Sequence, residues 1–145
     1  MEFTPKWIAW EITRRCNLRC VHCRSSSELD IQGHPDFTLA EAKRILDEIR
    51  AYANPVMVLS GGEPLLREDV FDIARYGTSL GLRMCMATNG ALVTPAICRE
   101  MKDSGIKMVI RHIEINERGR DQTDLDHPKT AALKTVRKPA IEELG

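Results

Sequence analysis

The chain has no surplus of charge. Its Lys and Arg number 21, its Asp and Glu also 21, and the formal net charge is zero. No overall field would draw such a chain to nucleic acid or to an anionic membrane. It also has no long hydrophobic run: the opening "MEFTPKWIAWEITRRC" lacks the apolar stretch of a signal peptide, and no segment could span a bilayer. A cytoplasmic protein with no nucleic-acid and no membrane partner is expected. Five cysteines is an odd number that fits full disulfide pairing poorly. In a reducing compartment a cysteine cluster more often binds metal or does chemistry. At 145 residues the chain suits one domain with a real core.

What is present is an alternation. "KWIAWEI" reads as a first strand. "FTLAEAKRILDEIRAYA" reads as a helix, with Thr38 and Glu41 as a capping box and Ala42, Ile45, Leu46 and Ile49 on one face. "PVMVLS" is a buried strand running into the turn "GGEP". A second helix comes next, with Val70, Ile73 and Ala74 inward and Gly81 at its exit. "LRMCMATNG" is a third strand and turn. "TPAICREMKDSG" is a third helix, capped by Thr94, with Pro95 in its first turn and Gly105 at its end. "IKMVI" begins a fourth strand.

Strands alternating with helices predict an α/β protein with a parallel sheet of about three to four βα units. In such sheets ligands sit beyond the carboxyl ends of the strands, where the cysteine loop, "GGEP" and "TNG" all fall. From Ile110 onward the character changes: residues 110–145 hold no aromatic side chain and show no sustained apolar period. A weakly structured tail is expected there, after a first unit spanning residues 1–109.

The stretch "TRRCNLRCVHCRSSS" carries Cys16, Cys20 and Cys23 in the spacing C-x3-C-x2-C. A structural zinc site would need a fourth ligand, for which His22 and His34 are the neighbours. Three thiolates on one loop also suit three corners of a cubic iron–sulfur cluster, leaving one iron open. Arg14, Arg15, Arg19 and Arg24 suit the cluster, since nearby positive charge stabilises thiolates and an anionic cluster, or they form an ordinary solvated basic loop. Cys85 and Cys98 lie in apolar patterns and read as small buried hydrophobes.

"CNLRCVHC", followed by a strand and "GGEP", then a strand and "TNG", resembles the radical S-adenosylmethionine (radical SAM) superfamily over roughly residues 7–109. That resemblance implies a partial (β/α) radical SAM barrel. It implies that Cys16, Cys20 and Cys23 bind a [4Fe-4S] cluster and that SAM chelates the open iron. Gly61, Gly62, Glu63 and Pro64 would receive the SAM ammonium through backbone carbonyls and a carboxylate. Thr88 and Asn89 would face its nucleoside. His22 stands where the superfamily often has an aromatic residue before the third cysteine. The implied chemistry is reductive cleavage of SAM to a 5′-deoxyadenosyl radical that abstracts hydrogen from a small-molecule or peptide substrate. An electron donor such as flavodoxin or ferredoxin is implied with it. "WEITRRCNLRCVHC" most resembles the branch with haem and haem d1 biosynthesis and peptide-modifying enzymes.

A full member carries more βα units than the three and the start of a fourth found here. The expectation is therefore a C-terminally truncated chain, whose fourth strand offers an uncovered edge for self-association. The competing expectation is a non-catalytic iron–sulfur or zinc module, or a fragment that needs a partner.

Overall fold

The computed structural model describes residues 3–20, 23, 25, 27 and 35–111. His22, His34, Arg24 and residues 112–145 lie outside them, and with them most of the expected tail. Strand β1 (Trp7–Thr13), helix α1 (Leu39–Tyr52), strand β2 (Val56–Gly61), helix α2 (Val70–Ser79), strand β3 (Arg83–Thr88), helix α3 (Pro95–Asp103) and strand β4 (Met108–Arg111) come in that order. The strands form one parallel sheet in the order β1-β2-β3-β4. A sheet that adds each new strand beside the last is an arc of a βα barrel; a doubly wound sheet would reverse its order.

Local signals account for the helices. At α1, Thr38 Oγ1 accepts from the Glu41 N–H at 3.2 Å while the Glu41 carboxylate accepts from the Thr38 N–H at 2.7 Å, the reciprocal capping box. At α3, Thr94 Oγ1 accepts from the Ile97 N–H and Pro95 fills the first turn. Helix α2 departs from this pattern. Asp69 occupies its cap position, but its side chain makes no cap bond and pairs instead with Arg67.

Alternate strand residues Ile12, Met57, Leu59, Met84 and Met86 pack with Ala42, Leu46, Val70, Ile73, Ala74 and Met101 of the helices, all nearly or fully buried. Cys85 and Cys98 are buried, as small hydrophobes would be. The opposite sheet face carries the register row Ala9, Val58, Cys85 and Met108. β1 is less apolar in effect than its two tryptophans suggest: Trp7 is 65% exposed, and only Ile12 and Thr13 are fully buried. β4 continues through Ile110 and Arg111, across the expected unit boundary.

Candidate functional site

The carboxyl end of β1 opens into the cysteine loop through an irregularity. Glu11 pairs with Ser60, yet Thr13 pairs with the very next residue, Gly61. Such a bulge turns the strand and re-aims the chain beyond it. The loop is then drawn against the end of β2: the Gly62 N–H donates to the Thr13 carbonyl at 2.9 Å and the Glu63 N–H to the Arg15 carbonyl at 2.8 Å. This explains the glycine pair. A Cβ at Gly61 would lie 2.1 Å from the Thr13 oxygen, and one at Gly62 would lie 2.2 Å from the Arg15 oxygen. Gly61 also has φ +131°, where side chains are strained. In this structure the close backbone approach that the glycines permit is to the cysteine loop itself.

Glu63 joins the next strand. Its side chain is completely buried. Oε1 accepts from the Thr88 hydroxyl at 2.7 Å and from the Leu65 N–H at 3.1 Å, and Oε2 accepts from the Asn89 N–H at 2.8 Å. Burial pushes the carboxyl above its ordinary value, and these three hydrogen bonds offset part of that rise. Pro64, also buried, begins a 3-10 turn (Pro64–Leu66). The "TNG" turn is held further by its own side chains, since the Gly90 N–H donates to Thr88 Oγ1 and the Ala91 N–H to Asn89 Oδ1.

Asn89 closes the circuit back to the cysteines. Its Nδ2 donates to Asn17 Oδ1 at 2.9 Å and stands 3.9 Å from Cys16 Sγ. The Leu18 N–H also points at that sulfur, at 3.4 Å. Cys16 is buried, whereas Cys20 and Cys23 are half-buried and joined by a turn in which the Cys23 N–H donates to the Cys20 carbonyl at 3.1 Å. Burial is the main influence on the Cys16 thiol and raises its pKa. The Leu18 N–H lowers it and the Glu63 carboxylate raises it.

The structure thus brings Cys16, Gly61, Gly62, Glu63, Thr88 and Asn89 into one hydrogen-bonded assembly, and leaves His22 outside the described residues. Asn17 belongs to the assembly although nothing in its local pattern marks it. Among the described residues no group of three or more His, Cys, Asp and Glu converges on a single metal point. A cubic cluster bonds each cysteine to a different iron, so it does not call for that convergence. Three reduced thiols on one rim, one already receiving N–H groups at its sulfur, fit such a cluster.

These features define an arc of a βα barrel with a thiol-bearing site at the carboxyl ends of its strands. The Radical SAM superfamily profile matches residues 10–136. The chain belongs to the radical SAM superfamily, whose cofactors are a [4Fe-4S] cluster and S-adenosylmethionine. It is 49% identical over 107 residues to an AdoMet-dependent heme synthase of Methanosarcina barkeri, covering 74% of this chain and 30% of that protein. It is 38% identical over 108 residues to a pre-heme d1 synthase of Dinoroseobacter shibae, covering 73% of this chain and 26% of that protein. The chain therefore spans about a third or less of the length of these relatives. Among solved structures it is similar to BtrN in complex with AdoMet and 2-DOIA, with a TM-score of 0.66 and 19% identity over 90% of this chain and 56% of that one. The last likeness shows the shared fold. Among the described residues, no helix is long and apolar enough to cross a membrane.

Proposed function

We propose that this chain is the cluster- and SAM-binding part of a radical SAM enzyme of tetrapyrrole (haem) biosynthesis, acting in the cytoplasm. One observation carries the reading: the ends of β1, β2 and β3 are bonded to one another through Gly62, Glu63 and Asn89. Cys16, Cys20 and Cys23 would hold the cluster, which supplies one electron for reductive cleavage of SAM and so the family's hydrogen-abstracting chemistry.

The protein's own residues bind and orient. Gly61 and Gly62 keep side chains out of the rim, where their backbone carbonyls would receive the SAM ammonium. Glu63 adds negative charge beside that position and retains acceptor capacity on Oε2, which takes one hydrogen bond among the described residues. Thr88 and Asn89, locked by Glu63, present a fixed turn to the nucleoside. The substrate is a small molecule in this reading, and the electron comes from a carrier such as flavodoxin or ferredoxin. Tetrapyrrole chemistry rests on likeness to the heme synthases over the aligned third of their length.

The reading is tested by calorimetric titration of SAM into the anaerobically reconstituted protein. Binding should be lost in Cys16→Ala and weakened about tenfold in Asn89→Ala, equivalent to about 1.4 kcal/mol. Equal SAM affinity in the cluster-free apoprotein would overturn it.

A further inference from the structure

Arg67 belongs to none of the motifs, yet its side chain is only 5% exposed. Burying a guanidinium is costly unless its donors are matched, and here they are. Nη1 donates to the Ile12 carbonyl at 2.8 Å, Nη2 to the Phe37 carbonyl at 2.6 Å and to Asp69 Oδ2 at 3.0 Å, and Nε to Asp69 Oδ1. The guanidinium also lies over the Phe37 ring, 4.6 Å from its centroid. That ring stacks in turn on Trp10, 5.2 Å between centroids and 5° from parallel.

Those two carbonyls flank the cysteines. Ile12 is the last-but-one residue of β1, and Phe37 immediately precedes the Thr38 cap of α1. Between them runs the whole connection that carries Cys16, Cys20 and Cys23. Arg67 itself closes the 3-10 turn that comes after Glu63. One side chain therefore ties both ends of the cysteine connection to the turn after "GGEP". A long connection is entropically free to place its thiols in many ways, and fixing its ends removes part of that freedom. An apolar residue could fill the same volume with less desolvation, but it could not grip two carbonyls at once.

We infer that Arg67 is a positioning residue for the thiols: its guanidinium clamps Ile12 and Phe37 and so holds the connection in the register that cluster capture needs. The cluster half of this statement rests on the function proposed above; the clamp itself does not. Lysine keeps the charge but has neither the planar fork nor the span to bridge both carbonyls and Asp69, so it should not rescue the clamp.

The test compares the wild-type full chain with Arg67→Lys, Arg67→Gln and a core control, Leu46→Ala. In the apoprotein, hydrogen exchange at residues 13–20, 23, 25 and 27 should be at least tenfold faster in both Arg67 variants, with α2 and β3 little changed. Leu46→Ala should loosen all elements together. In the reconstituted protein, both Arg67 variants should lose iron to a chelator at least fivefold faster than wild type. If Arg67→Gln does not fold, Asp69→Asn, which weakens the fork and keeps both carbonyl bonds, should show the same selective exchange to a smaller extent. Wild-type exchange in Arg67→Lys, or equal loosening of α2 and β3, would overturn the clamp. A wild-type chain that takes up no cluster would overturn the proposed function instead, and the exchange comparison would still decide the role of Arg67.

Discussion

Replacing Glu63 by Gln should destabilise the apoprotein nearly as much as replacing it by Ala. The carboxylate is fully buried and accepts from three donors, Thr88 Oγ1, Leu65 N and Asn89 N. An amide can satisfy the pair at Oε1, but its Nε2 then meets the Asn89 N–H, donor against donor, where 2.8 Å now separates donor and acceptor. An unsatisfied buried backbone donor costs about 1–3 kcal/mol. Alanine leaves all three donors without the carboxylate and opens a small void, while relieving the burial of a charge, so a net loss of about 2–4 kcal/mol is expected. The assay is urea unfolding of the apoprotein under reducing conditions, read as a fall in midpoint at constant slope. It is paired with hydrogen exchange at Asn89. The pH dependence has a definite sign. Because burial raises the folded-state pKa of Glu63, its contribution is fully present below the ordinary glutamate value and is lost as pH rises through the raised one. Glu63→Gln should flatten that part of the profile. A Gln variant within about 0.5 kcal/mol of wild type, with unchanged Asn89 exchange, would refute the linkage of "GGEP" to "TNG".

The same geometry sets two further outcomes. Gly62→Ala would place a Cβ 2.2 Å from the Arg15 carbonyl oxygen, so it should cost the apoprotein about 2 kcal/mol or more, measured by the same unfolding curve, before any ligand is present. Among the described residues β4 pairs on one side only, with β3, and Met108 and Ile110 are 46% and 40% exposed; multi-angle light scattering should therefore show concentration-dependent association that Ile110→Lys reduces.

Much of the fold was legible because its signals are local. Thr38 and Glu41, Thr94 and Pro95, and Gly81 mark helix ends within a few residues of where they act. The continuous apolar run before "GGEP" suggested a buried strand, and it forms β2, Val56–Gly61. The three loops at one rim were legible from topology, since parallel strands bring their carboxyl ends together. The joints between those loops were not. The hydrogen bond from Arg67 to Ile12 spans 55 positions and that from Asn89 to Asn17 spans 72, and in sequence Arg67 is one charge in a charged stretch. The glycines of "GGEP" pointed to a close backbone approach, but the Thr13 and Arg15 carbonyls that lie nearest emerge only from the register at the β1 bulge. Trp7 lies in the apolar run that read as the first strand, yet it is 65% exposed, at the start of the outermost of the described strands.

The proposed function depends on Cys16, Cys20 and Cys23 holding an iron–sulfur cluster with one iron left open. The decisive experiment is anaerobic reconstitution of the full chain with iron and sulfide, with metal analysis and low-temperature EPR of the reduced protein in the presence and absence of SAM. The expected product is a brown protein with about four irons and four sulfides per chain and a spectrum that shifts when SAM is added. Both properties should be lost in Cys16→Ala, Cys20→Ala and Cys23→Ala but not in Cys85→Ala or Cys98→Ala. A colourless protein that binds stoichiometric zinc through the same three cysteines, or a cluster whose spectrum ignores SAM, would contradict it.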